Sequence, residues 1–598
     1  MKNLLHFLAP ALLVASGIGS LLAAAPAAAQ SRNLYDWAWV NRLGATALAG
    51  TTTAMPASAG QPESLAADAA GNVFVAGLYA PDVVFDNANA PYQATVTSSG
   101  AIPNSYLAKY TPAGALAWSR DLTSNGAVLV RDVAVDGAGN VYVIGKYNQQ
   151  LRIDGAVVAL ASTGNSYFLT KISPAGAPVW TTTIEPDVPR AGRFGIDRLD
   201  VDAAGNSAVL GEFETQLTIN GTAFAGATSS LHCLVLRYNS LGATLGSFAA
   251  YTTGSEQGRT YTGIALTSTG ETYLSGRVFN TATLQFGTLP ALTGPAPIAG
   301  IGYSAGFVVK LNGATTAAWA VSTTAGAGPT ATAQGVTDIA IGPQDRCYAL
   351  GLLRGGGMAL GAQSIGTANP QGATGYDLFL ARINPSGAVE SLVGGGGTFR
   401  AWGLAIGPQG QASFGTDGGL DWGNVRLSGP IWNSSSTATR QTGIVQLDAA
   451  GVPQRGWQAG MGFFTSALTL DGLNRPVLVG TAGGYGPYNF GTQQRTSPYA
   501  FNTLVARTGT TLLAARQATQ VAGLEVYPNP AQRLVEVRTA QPGPVEIRLS
   551  DVLGRTVRTQ RLAAGQTRVE LAGLAAGAYT LHVQQGAARS FRQLVVAP

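Results

Sequence analysis

The chain has few charged residues and few residues that carry metal or redox chemistry. Charged side chains make up 11% of its 598 residues, and it contains two cysteines and three histidines. So few charges exclude a highly charged disordered protein, and 46% apolar residues are ample for a core. Cys233 and Cys347 fall in non-neighbouring repeats, so we expect two buried free thiols. Two cysteines and two histidines outside the leader do not make a usual zinc site, and we expect no cofactor.

The chain also lacks a cluster of one charge sign. Its net charge is +5, but residues 522–598 hold nine arginines and five acids, and residues 3–521 hold 26 basic and 26 acidic side chains. A surface that follows nucleic-acid phosphates needs concentrated positive charge. The sequence therefore excludes a nucleic-acid partner.

The first 29 residues have the pattern of a secretory signal peptide. Lys2 is followed by the apolar stretch Leu4–Leu22, and Ala27–Ala29 offers a small-residue cleavage site before Gln30. A transmembrane anchor is the alternative, but the most apolar run is short and ends in small residues. We expect an exported protein without a transmembrane segment once residues 1–29 are removed.

Glycine is abundant, at 79 residues, and it marks an internal repeat. Related phrases occupy Leu65–Gly77, Val133–Gly145 and Leu199–Gly211, and weaker copies end at Gly276, Gly351, Gly415 and Gly480. Each strong copy reads apolar run, Asp-x-x-Gly-Asn, apolar run, which predicts two strands joined by an Asp-capped turn. A calcium loop would need alternating acids and a downstream Glu, which these phrases lack.

Two further sets of equivalent positions, or columns of the aligned copies, complete each repeat. One carries Asp-Gly or Asn-Gly between apolar residues, as at Asp154 and Asn220, and the other carries Pro-Ala-Gly followed by a tryptophan, as at Trp118 and Trp180. Four short strands a copy and seven copies predict an all-β fold with a seven-bladed β-propeller over residues 30–515, with a β-solenoid as the alternative. The orphan segment Tyr35–Val40 resembles the last strand of a copy, so we expect it to complete blade seven beside strand 502–507.

These phrases resemble the secreted bacterial β-propeller repeat often called SBBP. The resemblance spans about residues 35–512 and is clearest in the first three copies; the fourth to sixth depart from it, with Gly342-Pro-Gln-Asp and Gly407-Pro-Gln-Gly in place of the Asp turn in the fifth and sixth. It implies a fold and an export context, and it implies no catalytic site.

Residues 516–523 form a predicted linker, and residues 524–598 change pattern. Strands there alternate apolar and charged residues, which predicts a small antiparallel β-sandwich with solvated outer faces. The motif order is Tyr-Pro-Asn-Pro, Asp-Val-Leu-Gly-Arg and Gly-Leu-Ala-Ala-Gly-Ala-Tyr. The residues that carry it are Tyr527, Pro528, Asn529, Pro530, Asp551, Gly554, Arg555, Gly577 and Tyr579.

In this order the motifs resemble the type A C-terminal sorting domain of the Bacteroidetes type IX secretion system. The resemblance implies recognition by the outer-membrane translocon and its sorting machinery, and cleavage near residues 516–523. It also implies release from the cell or attachment to surface lipopolysaccharide. A fibronectin-like module that binds carbohydrate is the alternative.

Catalytic patterns are sparse. Gly302–Gly306 matches Gly-x-Ser-x-Gly but precedes a repeat strand rather than a helix, so we do not expect a nucleophile elbow. Two acid pairs, Asp417 with Asp421 and Glu212 with Glu214, are more typical of solvated loops than of a glycosidase. One aligned column is basic and predicts a ring, used either to join blades or to bind an anion. Its residues are Lys109, Lys171, Arg237, Lys310, Arg382 and Arg507, with Gln446 in the sixth copy.

The sequence thus predicts a cell-surface or extracellular propeller that binds a glycan or protein, or is structural, without catalysis. The rival interpretation is a polysaccharide-active glycosidase or lyase with a carboxylate pair on one propeller face.

Overall fold

The protein is all-β wherever its structure is described, as the sequence predicted. The computed structural model describes residues 34–44, 62–79, 82–85, 92–93, 103–188, 192–226, 230–254, 261–296, 304–313, 315–325, 332–354, 357–366, 376–398, 400–427, 441–461, 463–483, 487–495, 501–512, 521–551, 556–586 and 588–597. Within these ranges there are 47 strands, one 3-10 turn at Pro343–Asp345 and no α-helix. No helix in these ranges is therefore long and apolar enough to cross a membrane. The predicted signal peptide and Gln30 lie outside them.

The chain divides into two compact units, Met1–Thr510 and Thr511–Pro598. The first unit opens with β1 (Tyr35–Gly44) and continues with seven consecutive groups of strands, modules 1 to 7. Module 1 contains β2 (Pro62–Ala67), β3 (Val73–Tyr79), β4 (Asp82–Phe85), β5 (Tyr92–Gln93), β6 (Asn104–Tyr110) and β7 (Leu116–Thr123). Module 2 contains β8 (Leu129–Val135), β9 (Val141–Ile153), β10 (Ala156–Ile172) and β11 (Pro178–Ile184). Module 3 contains β12 (Phe194–Val201), β13 (Ser207–Phe213), β14 (Gln216–Ile219), β15 (Thr222–Ala225), β16 (His232–Tyr238) and β17 (Thr244–Thr253).

The remaining modules follow the same plan. Module 4 contains β18 (Tyr261–Leu266), β19 (Thr272–Phe279), β20 (Thr283–Phe286), β21 (Leu292–Thr293), β22 (Ser304–Asn312) and β23 (Thr316–Ala325). Module 5 contains β24 (Thr332–Ile341), β25 (Cys347–Arg354), β26 (Met358–Leu360), β27 (Gln363–Ile365), β28 (Tyr376–Ile383) and β29 (Val389–Thr398). Module 6 contains β30 (Arg400–Ile406), β31 (Ala412–Asp417), β32 (Leu420–Trp422), β33 (Val425–Leu427), β34 (Gln441–Leu447) and β35 (Pro453–Met461). Module 7 contains β36 (Phe463–Leu470), β37 (Pro476–Gly483), β38 (Tyr488–Phe490), β39 (Gln493–Arg495) and β40 (Phe501–Leu512).

Each module is a four-stranded antiparallel sheet with a short hairpin inserted between its second and third long strands. The order is β12-β13-β16-β17 in module 3 and β24-β25-β28-β29 in module 5. The second strands read as continuous apolar runs because both of their faces are covered, and every residue of β3 and β13 is buried. The first turn is capped as predicted: Asp68 accepts hydrogen bonds from the backbone N–H and the side-chain amide of Asn72, and Gly71 has a φ of 83°.

Module 7 takes its fourth strand from the start of the chain. Its order is β36-β37-β40-β1, which confirms the predicted place of the orphan segment beside strand 502–507. Trp37 is buried and donates from its indole N–H to the Gln458 carbonyl of module 6 at 3.1 Å. The first strands of the modules also contact one another in cyclic order, β2 with β8 and onward through β12, β18, β24 and β30 to β36, which contacts β2.

Six of the seven inserted hairpins join neighbouring modules, a feature that the sequence analysis did not predict. The hairpin of module 4 pairs with the last strand of module 3, β17 with β20, and the same arrangement joins β23 with β26 and β29 with β32. Across the chain ends, β1 pairs with β4 of module 1. The exception is the hairpin of module 3, because β14 and β15 form a separate two-stranded sheet. The other hairpins cover the outer edge of the sheet before them, so those edge strands are paired rather than open.

The second unit contains seven strands in two antiparallel sheets, within the described residues. The strands are β41 (Glu525–Tyr527), β42 (Leu534–Arg538), β43 (Val545–Ser550), β44 (Thr556–Leu562), β45 (Arg568–Glu570), β46 (Gly577–Gln585) and β47 (Ala588–Val596). Their orders are β41-β42-β45 and β44-β43-β46-β47. Val535, Ile547 and Leu581 belong to one buried cluster that both sheets share.

Both cysteines are buried and free, as predicted. Burial raises the pKa of each thiol well above its ordinary value, and the carboxylate of Glu212 adds to this effect at Cys233. Neither thiol therefore has the thiolate character that reactive cysteines need.

Candidate functional site

The first strands of the seven modules line a cavity of about 700 Å³. Every module contributes to it. One lining residue from each module in turn is Glu63, Asp132, Asp197, Thr262, Thr337, Trp402 and Ser466. A cavity of this volume is in the range of small-molecule sites.

A β-bulge in each first strand brings polar side chains to this cavity. The pairing with the second strand skips one residue between Pro62 and Ser64 and again between Ile196 and Arg198, and every other module has a shift at the corresponding place. A bulge leaves its extra residue outside the ladder and redirects its side chain. Six of these bulge positions line the cavity: Glu63, Asp197, Thr262, Thr337, Gly403 and Ser466. In module 2 the lining residue is Asp132, beside the bulge.

The cavity is rich in charge, although the first unit as a whole is poor in it. The lining carboxylates are Glu63, Asp132, Asp197, Glu212 and Asp338, and the lining guanidiniums are Arg198 and Arg277. The lining also includes an indole and two phenols, from Trp402, Tyr261 and Tyr376. This mixture is suited to a polar ligand and is poor for an apolar one.

Two of the carboxylates connect one module to the next. Asp132 accepts the backbone N–H of Leu199 at 2.9 Å, and Asp338 accepts that of Leu404 at 2.8 Å. Asp200, on β12, accepts the N–H of Leu266 at 2.7 Å in the same way. Burial raises the pKa of Asp338 to about 6 and that of Asp200 to about 7, although these hydrogen bonds oppose the rise. These oxygens are therefore occupied in joining first strands.

The two arginines of the cavity differ in their contacts. Arg198 is exposed and donates from Nε to the Thr262 carbonyl at 3.3 Å. Its charge lowers the pKa of Asp132 and of Asp338, against the larger effect of burial. Arg277 has a buried Nε that finds no hydrogen-bond acceptor among the described residues. Burial lowers the pKa of Arg277, and the Tyr376 phenol acts weakly in the opposite direction.

The two acid pairs singled out from the sequence have different surroundings. Asp417 is buried and accepts hydrogen bonds from the Trp402 indole at 3.1 Å and from the Thr442 hydroxyl at 2.9 Å. Asp421 is exposed and lies 3.6 Å from Arg426, so Asp417 and Asp421 do not share an environment.

The second pair is also divided. Glu212 lines the cavity and lies 3.6 Å from a guanidinium nitrogen of Arg193, whereas Glu214 accepts the backbone N–H of Arg193 at 3.0 Å. Of this pair, Glu212 therefore lines the cavity, together with acids from other modules.

The basic column makes contacts between modules. Lys109 donates to the Pro174 carbonyl at 3.0 Å, and the Trp118 indole donates to the same oxygen at 3.0 Å. Lys310 and Trp319 share the Pro385 carbonyl in the same way, at 3.2 and 3.0 Å. Both carbonyls belong to the Pro-x-Gly turn of the next module. Because such a carbonyl sits at the turn, outside the strand ladder, it is available to a donor from the neighbouring sheet.

The other four members of the basic column also have partners. Lys171 lies 3.2 Å from Asp136, Arg237 donates to the Gly270 carbonyl at 2.6 Å, Arg382 lies 3.0 Å from Glu390 and donates to Ala449, and Arg507 donates to Pro112. The Arg507 contact connects module 7 to module 1. Five of the six residues thus contact the following module, as expected if the column joins modules, whereas Lys171 pairs with Asp136 of its own module. Its use for an anion stays a prediction.

The described residues of the sorting motif lie in both sheets of the second unit or beside their strands. Asn529 donates from its side-chain amide to the Gln593 carbonyl and accepts the Val595 N–H, both at 2.8 Å, so its side chain pairs with β47 as another strand would. The Tyr579 hydroxyl donates to the Ala575 carbonyl at 2.7 Å. Tyr527 ends β41 beneath the Arg538 guanidinium, at 5.2 Å.

Other candidates from the sequence are accounted for by local structure or lie outside the described ranges. Gly577 opens β46, Pro528 and Pro530 flank Asn529, and Asp551 follows β43. Gly554 and Arg555 are outside the described residues, as is Gly302 of the Gly-x-Ser-x-Gly sequence. Ser304 opens the strand β22. His232 is buried and accepts the backbone N–H of Thr252 at 3.1 Å, while burial and Arg548 lower the pKa of His582.

Sequence analysis missed the bulge residues and Arg277. A usable signal exists for both. The bulge residues are polar positions inside an otherwise apolar run, five residues before the turn position occupied by Asp68 in the first copy. Arg277 directly follows Gly276, the conserved end of the repeat phrase within this chain. Neither signal says which way a side chain points, because that depends on pairing with the second strand.

Comparison with known proteins identifies the second unit. Residues 525–597 match the family model of the secretion system C-terminal sorting domain. This match indicates secretion across the outer membrane to the cell surface or the extracellular space, and it implies interaction with the type IX secretion machinery. No curated protein matches the chain.

Solved structures show only weak similarity. The extracellular domain of a hybrid two-component system from B. thetaiotaomicron is 10% identical, covers 95% of this chain and 99% of its own, and has a TM-score of 0.14. A glycoside hydrolase family 32 structure from Bifidobacterium adolescentis is 10% identical over 95% of each chain, with a TM-score of 0.23. At these TM-scores the similarity supports no argument about fold or activity.

Proposed function

We propose that this exported protein is a seven-bladed β-propeller, built from SBBP-type repeats over residues 30–515, that binds an extracellular glycan without catalysing its turnover. A linker at 516–523 and the sorting domain at 524–598 follow. Each module is one blade in this proposal. The cyclic contacts of the first strands and the completion of module 7 by β1 support a closed ring.

The observation that carries the binding function is the cavity at the first strands. Bulges turn a polar side chain toward it from five of the seven blades, at Glu63, Asp197, Thr262, Thr337 and Ser466. Hydroxyls, carboxylates and guanidiniums hydrogen-bond to sugar hydroxyls, and the Trp402 indole and Tyr376 phenol add aromatic surface. The non-catalytic role is supported by Asp132 and Asp338, whose oxygens hold backbone N–H groups of the next blade.

The test is a glycan-array measurement on the full chain with one variant that fills the cavity. Ser466→Trp places a large side chain at a bulge position inside it, and we expect glycan binding to fall to background. Thr222→Trp is the matched control, because Thr222 is exposed on the β14–β15 hairpin. Unchanged thermal unfolding of both variants shows that the fold is kept.

Two outcomes contradict the proposal. Binding that Ser466→Trp leaves intact places the ligand elsewhere. Release of new reducing ends from a bound polysaccharide, measured in parallel, favours the rival glycosidase or lyase interpretation.

A further inference from the structure

Arg277, one of the two arginines of the cavity, has no ion-pair partner among the described residues. The Arg277 Nε is buried without a hydrogen-bond acceptor, and no carboxylate of the described residues lies within ion-pair distance of its guanidinium. In the basic column, Arg382 and Arg507 lie within ion-pair distance of a carboxylate, and Arg237 donates to a backbone carbonyl. A half-buried charge without a partner is unfavourable unless a ligand supplies one. Arg277 is therefore the group in the cavity with most to gain from an anion.

The repeat provides a second, independent observation. Arg277 follows the last glycine of its copy, and the residue after that glycine is one of five residue types in the seven copies. In chain order these residues are Leu78, Lys146, Glu212, Arg277, Leu352, Thr416 and Thr481. Those of modules 3, 4 and 5 line the cavity. A position that holds Glu, Arg and Leu in equivalent strands is not required for the fold of the repeat. Its residue type can therefore be set by the ligand that the cavity binds.

The surroundings of Arg277 hold its side chain toward the cavity. Its guanidinium lies over the Phe279 ring at 5.6 Å, a cation–π distance. Gly335 lies beside the stem of Arg277, since a Cβ built there would be 3.6 Å from the Arg277 Cδ, in ordinary contact. A planar guanidinium held in this way presents its N–H groups in the geometry that binds a carboxylate with two hydrogen bonds.

We propose that the cavity binds an acidic sugar, and that the Arg277 guanidinium holds the sugar carboxylate. This inference rests on the proposed glycan-binding function and specifies its ligand. The five lining carboxylates repel any anion, but they repel a dianionic phosphate more strongly than a sugar carboxylate with one charge. The Ser304 and Thr337 side chains share the lining with Arg277, so the rest of the ligand meets groups suited to sugar hydroxyls rather than to apolar peptide side chains.

The experiment is a calorimetric titration of the full chain with a uronate trisaccharide and with its methyl ester, which keeps the sugar and removes the charge. The wild type should bind the acid at least about tenfold more tightly than the ester, since a charge-assisted hydrogen bond is lost. Arg277→Gln should lower the affinity for the acid to that for the ester and leave the affinity for the ester unchanged. Arg426→Gln is the control, because Arg426 is exposed on β33 and pairs with Asp421.

The possible outcomes test the carboxylate site separately from the proposed glycan-binding function. Equal affinity for acid and ester, with both lost in Ser466→Trp, overturns the carboxylate site and keeps glycan binding. Preference for a peptide with a free C-terminal carboxylate over its amide, at higher affinity than the uronate, overturns the sugar assignment. No binding of any of these sugars overturns both. Restoration of acid binding by Arg277→Lys, in part, supports a charge at this position.

Discussion

The two units of this chain obtain a stable β-structure by different means. In the first unit every sheet depends on its neighbours: hairpins pair with the preceding sheet, and Lys109 and Trp118 reach a carbonyl of the following one. In the second unit one buried cluster serves two sheets, and charged residues alternate with apolar ones, as in Val545–Ser550. In the proposed ring, stability is distributed among the modules and depends on β1 at the closure, whereas a small two-sheet unit depends on its own core.

The two units also differ in the property of the protein that we expect each to control. The second unit carries the match to a sorting domain, and its arginines give residues 522–598 their excess positive charge. The first unit is neutral overall but gathers charge in one cavity. We therefore expect changes in the second unit to alter where the protein goes, and changes in the first to alter what it binds.

The largest expected effect comes from removing the second unit. Deletion of residues 522–598 should abolish delivery to the cell surface while the first unit stays folded, because the recognition motif lies in residues 525–597. Cell fractionation with protease accessibility measures delivery, and thermal unfolding of the periplasmic product measures folding. Normal surface delivery of the shortened chain would contradict this division of labour.

Next is the closure of the first unit. Deletion of residues 30–42 removes the larger part of β1, leaves the edge of β40 open and empties the buried positions of Trp37, Trp39 and Val40. We expect a loss of several kcal/mol in the free energy of unfolding, together with aggregation through the open edge. Denaturant unfolding and light scattering check both effects. If the shortened protein were as stable as the full chain, β1 would not close the ring.

A smaller loss is expected from the basic column. Lys310→Met removes a cation that lies 2.6 Å from Glu271 and donates to Pro385, and it leaves both acceptors with fewer donors. The free energy of unfolding should fall by about 1–3 kcal/mol. Lys146→Met is the control, since no ion pair or side-chain hydrogen bond of Lys146 exists among the described residues. An equal loss of stability in Lys310→Met and Lys146→Met would contradict a structural role for the basic column.

The smallest effect concerns the sorting motif. Asn529→Ala removes two hydrogen bonds to the exposed edge of β47, at Gln593 and Val595, and should destabilise the second unit by about 1 kcal/mol. Thermal unfolding should show the change in the transition of the second unit and no change in that of the first. Gln593→Ala serves as the control, because Asn529 binds the backbone carbonyl of Gln593 rather than its side chain. A shift in the transition of the first unit would break the independence of the two.

Local turn chemistry accounts for the parts of the fold that the sequence predicted well. Asp68 and Gly71 specify a turn within five residues, so the repeat and its strands are visible without the tertiary structure. The place of β1 was predictable too, because the seventh copy lacks a final strand with tryptophan. The pairing of β20 with β17 was not, since nothing in a two-residue turn says which sheet a hairpin joins.

By itself, the sequence determined the all-β class, the sevenfold repeat, the free cysteines and the sorting domain, because each depends on short-range patterns or on motif order. Only the tertiary structure decided what the charged residues do. Lys109 and Lys310 bind turn carbonyls of the next module, and Arg277 lines the cavity with an Nε that has no acceptor among the described residues. The physical reason is distance along the chain: these partners lie 65 or more residues away, and one bulge in a strand changes which side chains face the cavity.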